Sequence, residues 1–330
     1  TIHENGAWDH LAFDDGVAWT LDDVRARLLT QAATDGADTI VGFPTAETIT
    51  GGKGDDTLTG GRGADVYVFN RGDGHDTIVE AGDSDRTIVD RIRFGAGIVQ
   101  DEVRLALTGA DVVVLIGADD QITIKGMASD AAQGVESIEF ADGSSWSFAD
   151  IVARLNTGGR GDDTLSAYSP TGAPTTLYGG GGDDSLTGGG EDDTFLFKKG
   201  DGRLTIKDTG AWSVDTLSLG AGLLDSDLVV TRTLNGDLLL RFKGGFDEIR
   251  IATSSNASAI EQVQFADGTR QTLAALVGRM VSQASAEQLL YVDATTPASL
   301  PTGPFSGDLA SDFSLAKNPN GAWSYGYGVL

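Results

Sequence analysis

Cysteine is absent from the chain, which excludes a disulfide framework and any thiolate metal site without fixing the compartment. Histidine is nearly as scarce. His3, His10 and His75 lie scattered, and no HExxH, GxSxG or Cys-His pairing accompanies them, so neither a zinc-protease nor a serine-hydrolase site is expected. A glycosidase needs only two carboxylates, so counting does not exclude that class, but nothing favours it and the chain reads as non-enzymatic. No apolar stretch approaches the ~18 residues of a membrane span, and no signal peptide opens the sequence. Basic residues are few: 23 Lys and Arg stand against 49 Asp and Glu, a net charge of -26. Such a field repels phosphates and anionic lipid, so neither nucleic acid nor a membrane surface is an expected partner.

What is present is aspartate and glycine. Of the acids 39 are Asp and 10 are Glu, and Gly contributes 46 residues. A solvated helical surface favours Glu, whereas Asp belongs to turns, caps and hard-cation sites. With 330 residues and 40% hydrophobic content there is enough apolar material for two or three modules with real cores.

A long repeat of about 126 residues organises the chain. FDDGVAW (13–19), FADGSSW (140–146) and FADGTRQ (265–271) are matching segments, opened by Phe13, Phe140 and Phe265. Each reads as strand, Asp-Gly turn and helix start. Thr20, Ser147 and Thr272 sit at N-cap positions, with Asp23 and Asp150 placed for capping boxes. Trp19 and Trp146 are expected to pack between helix and sheet, and Gln271 replaces them in the third copy. DRIRFGAGI (90–98) likewise answers DTLSLGAGL (215–223), and alternating strands follow each.

Inside these units runs a nine-residue period. GGKGDDTLT (51–59) abuts GGRGADVYV (60–68), and GGRGDDTLS (158–166), GGGGDDSLT (179–187) and GGGEDDTFL (188–196) follow the same pattern. Roughly 0.1 match to G-G-x-G-x-D is expected over the chain at these frequencies, and four full matches occur. Glycines at positions one, two and four allow left-handed backbone and converging carbonyl oxygens. The Asp at position six adds a carboxylate, and the apolar residue at position eight points inward from a three-residue strand. Two repeats then make one coil of a flattened helix, and hard oxygen ligands gathered at its edges suit Ca²⁺. Ile40, Leu58, Tyr67, Ile78, Leu165, Leu186, Phe195 and Ile206 are the expected core, while Asp55, Asp162 and Asp183 face solvent.

These residues resemble the repeats-in-toxin (RTX) family, and the DRIRFGAGI to FADGSSW segments resemble its haemolysin-type calcium-binding related module. The resemblance implies an all-β fold: parallel β-roll blocks alternating with β-rich modules, each ending in a short helix. It also implies Ca²⁺ as cofactor, export through a type I (ABC-transporter) route, an extracellular or cell-surface location, and folding on meeting external calcium. Carried over position by position, the carboxylate ligands are Asp38, Asp56, Asp65 and Asp76, then Asp163, Asp184 and Asp193. Turn ligands come from Gly51, Gly52, Gly54, Gly60, Gly61, Gly63, Gly72 and Gly74 in the first block. In the second they come from Gly158, Gly159, Gly161, Gly179, Gly180, Gly182, Gly188 and Gly189. Leu204 replaces the Asp of the closing repeat 199–207, leaving a weak site or none, and the interruption 167–178 is expected to loop out.

The implied organisation is 1–32, the end of a truncated unit; 33–87, roll block 1; 88–156, related module 1; 157–210, roll block 2; 211–283, related module 2; and 284–330, a linker with the start of another domain or an export tail. Two functions fit: a structural or adhesive segment of a secreted protein, or the folding and secretion module of a hydrolase or toxin whose catalytic domain lies elsewhere.

Overall fold

The structure is a computed structural model describing residues 10–80, 88–208, 210, 213–254, 257–258 and 260–282. The expected tail over 284–330 lies outside these residues. At the start, β1 (His10–Ala12) and β2 (Ala18–Thr20) form a hairpin that feeds α1 (Leu21–Ala32). The capping box forms as its sequence dictates: Thr20 Oγ1 accepts the Asp23 N–H at 3.1 Å, and Asp23 accepts the Thr20 N–H at 2.8 Å.

The first roll winds through β3 (Thr39–Val41), β4 (Thr48–Thr50), β5 (Thr57–Thr59), β6 (Val66–Phe69), β7 (His75–Ile78) and β8 (Arg91–Phe94). Alternate strands belong to opposite sheets, and within each sheet they pair in parallel. Each short strand turns its central apolar residue inward, which is why three residues suffice: Ile40, Ile49, Leu58 and Tyr67 are at most 2% exposed. Burying each such side chain stabilises the coil by roughly 1.5–3 kcal/mol.

The sheets then continue into antiparallel strands without a break. β9 (Val103–Thr108), β10 (Asp111–Ile116) and β11 (Asp120–Ile124) extend the first sheet, where β11 pairs in parallel with β7. β12 (Ser137–Glu139) and β13 (Ser145–Ser147) extend the second, where β12 pairs with β8, and α2 (Phe148–Leu155) closes the unit. The sheet orders are β3-β5-β7-β11-β10-β9 and β13-β12-β8-β6-β4, with one core between them. Trp146 is buried there against Phe140, its indole N–H donates to Gln100 Oε1 at 2.6 Å, and Arg154 stacks on its face. In the N-terminal hairpin, by contrast, Phe13 is 42% exposed where its counterpart Phe140 is 5%.

The second unit repeats the plan with β14 (Thr164–Ser166), β15 (Thr176–Tyr178), β16 (Gly182–Thr187), β17 (Thr194–Phe197), β18 (Gly202–Lys207) and β19 (Thr216–Leu219). After them come β20 (Leu228–Arg232), β21 (Leu238–Phe242), β22 (Glu248–Ile251), the ribbon β23 (Thr253–Ser254) and β24 (Ala257–Ser258), then β25 (Gln262–Gln264), β26 (Arg270–Thr272) and α3 (Leu273–Val277). The fold is all-β with parallel roll strands, as the repeats imply. One expectation needs correcting. The interruption 167–178 does not loop out as a whole: its last three residues form strand β15, and Tyr168 is buried with its hydroxyl donating to the Met127 carbonyl at 3.0 Å. The Asn156 side chain clamps the Tyr168 backbone on both its N–H and its C=O. An aromatic ring beside the module core and an inward Leu177 outweigh the turn-forming Pro and Gly of the sequence.

Candidate metal centres along the roll edges

The position-six acid stands where turn passes into strand: Asp56, Asp65, Asp163 and Asp193 come just before their strands, and Asp76 and Asp184 lie near the starts of β7 and β16. Because alternate turns stack, these acids line up in two columns, one per edge. On one edge the Asp38 N–H donates to Asp56 Oδ1 at 2.8 Å, and the Asp56 N–H donates to Asp76 Oδ1 at 3.1 Å. On the other the Glu47 N–H donates to Asp65 Oδ1, and the Asp65 N–H to Asp90 Oδ1, both at 2.8 Å. The second unit repeats the pattern from Asp163 to Asp184 at 2.9 Å, and from Thr175 through Asp193 to Asp215 at 2.8 and 2.7 Å. One carboxylate oxygen is thus committed to the neighbouring coil.

The other oxygen faces its own glycine turn. A Cβ on the first glycine of a repeat would meet that oxygen at 2.0 Å for Gly51 and Asp56, 2.4 Å for Gly60 and Asp65, 2.6 Å for Gly158 and Asp163, and 2.2 Å for Gly179 and Asp184. Gly188 is looser, at 3.3 Å from Asp193. The second and fourth glycines do different work. Gly52, Gly54, Gly61, Gly63, Gly180 and Gly182 have positive φ, and most of them run against the backbone of the turn before. Gly72 and Gly74 share that conformation, whereas Gly159, Gly161 and Gly189 do not, and a Cβ on Gly159 or Gly161, in the first turn of the second block, would meet nothing within 4 Å.

Burial and like charge act together on these acids. Asp76 is pushed up to about 7, first by burial and then by Asp56, Asp73 and Asp55. Asp56 and Asp184 are raised for the same leading reason, and Asp215 is pushed up to about 6. Asp56 Oδ2 is buried and accepts no hydrogen bond. An acceptor withdrawn from water, aimed at a glycine turn and surrounded by carboxylates fits a hard divalent cation.

The sequence reading stopped short of the full set. Carboxylate oxygens of Asp65, Glu80 and Asp90 lie within 4.8 Å of one another, and those of Asp193, Asp208 and Asp215 do likewise. Asp90 and Asp215 open the paired segments at 90–98 and 215–223, and each stands two residues before an inward apolar residue, so the second half of the repeat pattern could have revealed them. Glu80 and Asp208 sit where a repeat would begin with glycine, which hides them from a glycine-led pattern. Tyr67 is more than core, because its hydroxyl donates to the Glu80 carboxylate. Asp55 and Asp162 are exposed, yet each accepts a backbone N–H from the next turn, His75 and Asp183.

Leu204 changes the geometry of its edge. Where Asp56 and Asp76 pair through a side chain, β16 and β18 run in register from Gly182↔Gly202 to Thr187↔Lys207, and Asp184 faces a buried Leu204. An apolar residue in that slot converts a turn into strand.

The raised carboxylates set a pH dependence for the metal-free protein. Asp76 and Asp215 hold protons in the folded form between about 4 and their folded values of about 7 and 6, while the unfolded chain has released them. Stability from these groups is present below about pH 4 and lost as pH rises through the folded values. In chelator, the urea midpoint is expected to fall steadily from pH 4 to pH 7. A midpoint that rises over this interval would contradict the burial of these acids.

These features define a calcium-binding β-roll. Two families match the chain: the RTX calcium-binding nonapeptide repeat at residues 32–66, 41–78 and 172–204, and the haemolysin-type calcium binding protein related domain at 112–150 and 237–275. The chain therefore carries RTX nonapeptide repeats followed by haemolysin-type related domains, and Ca²⁺ is the cofactor of such repeats. No curated protein matches significantly. Among solved structures the extracellular lipase LipA from Serratia marcescens is similar, with 20% identity and a TM-score of 0.25 over 70% of this chain. The match spans 40% of that lipase. Among the described residues no helix is long and apolar enough to cross a membrane.

Proposed function

We propose that this chain is a structural segment of a secreted protein, exported unfolded by a type I route and folded outside the cell by calcium. The columns of stacked carboxylates carry this reading, because they hold the coils in register only when their charge is neutralised. Asp38, Asp56, Asp76, Asp163 and Asp184 supply one edge of the two rolls, and Asp65 and Asp193 the other. Asp90 and Asp215, with Glu80 and Asp208 beside them, extend that second edge beyond the positions the repeats assign. The glycine turns present carbonyl oxygens to the same spaces. A structural or adhesive role follows from two similarly built units in tandem, each committing its buried acids to the roll. The chain itself is assigned no catalysis.

Calorimetric titration of the full chain with Ca²⁺ tests the reading. Extracellular-type sites bind at about 10⁻⁴–10⁻³ M, so a saturable isotherm in that range is expected. Asp56→Ala and Asp184→Ala should each remove calcium from one block and leave the other block's sites. A wild-type protein that binds no calcium, or variants with unchanged stoichiometry, would refute it.

A further inference from the structure

The rolls end in a way the inner coils do not. Inside the first roll the Gly54 N–H donates to the Asp73 carbonyl of the next turn at 2.7 Å, and inside the second the Gly182 N–H donates to the Asp201 carbonyl at 2.8 Å. The last turn of each roll has no following turn to supply that carbonyl. A side chain from the related domain supplies the acceptor instead. Asp120, at the head of β11 and 46–48 residues later in the chain, accepts the Gly72 N–H on Oδ2 at 2.9 Å and the Gly74 N–H on Oδ1 at 3.4 Å. Asp247 does the same for Gly200, at 3.2 and 3.0 Å, and for Gly202 at 3.3 Å. Both carboxylates are buried. The opposite edge closes alike: Glu136 accepts the Asp90 N–H at 2.7 Å, and Glu261 the Asp215 N–H at 2.8 Å.

The two capped turns differ in one residue that matters. Behind Asp120 the turn 72–76 ends on Asp76, a buried carboxylate bonded to the coil before it. Behind Asp247 the equivalent residue is Leu204. The same cap therefore closes one turn that carries an acid and one that does not.

We propose that Asp120 is a positioning residue for the last calcium turn of the first roll. Resting on the reading that these turns hold calcium, it fixes Gly72 and Gly74 in the left-handed conformation their φ values of +85° and +107° require, so that the turn leading into Asp76 is formed before the cation arrives. Asp247 fixes its turn equally, but shapes no calcium site there. Neighbours that orient metal ligands typically contribute 10–100-fold in affinity.

The test compares Ca²⁺ isotherms and amide hydrogen exchange for the full-length wild type and its Asp56→Ala, Asp120→Ala, Asp120→Asn and Asp247→Ala variants. Asp120→Ala should weaken one class of sites by about tenfold and deprotect the Gly72 and Gly74 amides. Asp120→Asn can keep an acceptor for the Gly72 N–H while losing the longer bond to Gly74, so it should weaken the same sites by less than alanine does, which guards against Asp120→Ala failing to fold. Asp247→Ala should deprotect Gly200 and Gly202 and leave the isotherm unchanged, a difference that a merely structural cap would not produce. An unaltered isotherm in Asp120→Ala would overturn the proposal, as would an Asp247→Ala shift of equal size or an Asp120→Asn loss as large as that of alanine. If wild type binds no calcium and Asp56→Ala behaves like it, the calcium reading itself fails; if Asp56→Ala loses a site while Asp120→Ala does not, only the cap does.

Discussion

Chelating calcium at neutral pH is expected to collapse most of the β-structure of this protein, and millimolar Ca²⁺ to restore it. The cause is the stacking that makes the roll. Eight backbone N–H groups, all of them on acidic residues, end on the carboxylate of a neighbouring turn or of the related domain. Carboxylates about 4 Å apart repel by roughly 1–4 kcal/mol, depending on exposure. Several such pairs rival the ~5–15 kcal/mol stability of a whole domain. At millimolar calcium, each site with a dissociation constant of about 10⁻⁴ M adds on the order of 1–2 kcal/mol by mass action, so a handful of sites spans the folding margin. The loss should reach beyond the nonapeptide residues. β7 pairs with β11 and β8 with β12, so roll and related domain share both sheets and one core. Far-UV circular dichroism and small-angle scattering through a calcium titration would report this as a single expansion involving both. Equal melting temperature and compactness in excess chelator would end the idea.

Much of this was legible because the chemistry is periodic. Glycine and Asp at fixed offsets mark the turns, and the inward residues Ile40, Leu58, Ile78, Leu186, Phe195 and Ile206 follow from period-two alternation in three-residue strands. Thr20 and Ser147 were readable as caps because the capping box is a local device, satisfied within four residues. What escaped depends on distance along the chain. Glu80 and Asp90 join Asp65 from 15 and 25 residues further along the chain, and Asp120 meets Gly72 across 48 residues. No local pattern announces such a partner. Tyr168 escaped for the opposite reason: its neighbours are Ser, Pro, Gly and Ala, a composition that reads as loop, while the tertiary slot beside Met127 is what orders it. Leu204 shows the rule from the other side, since one apolar residue in the acid position was enough to forecast a missing ligand but not the strand that replaces it.

Gly180→Ala separates close stacking of the turns from a looser assembly, and a large effect is expected. Gly180 has φ +94°, and a Cβ there would lie 1.8 Å from the Gly159 carbonyl oxygen of the preceding turn. That oxygen cannot swing away cheaply, because it accepts the Gly181 N–H at 2.9 Å. Relief requires the two turns to separate, which also breaks the Asp163 N–H bond to Asp184 that aligns their carboxylates. The left-handed backbone alone is expected to cost about 1–2 kcal/mol, and with the clash the loss should be about 4 kcal/mol, with calcium lost from the edge that Asp163 and Asp184 form. Gly268→Ala is the control. It has φ +86° in the turn between β25 and β26, but nothing lies within 4 Å of its Cβ position, so only the conformational cost of about 1–2 kcal/mol remains. Urea unfolding of both variants in saturating calcium measures the difference. If the two variants are equally mild, the turns do not approach each other as closely as the carboxylate columns require, and the cations would have no cage between them.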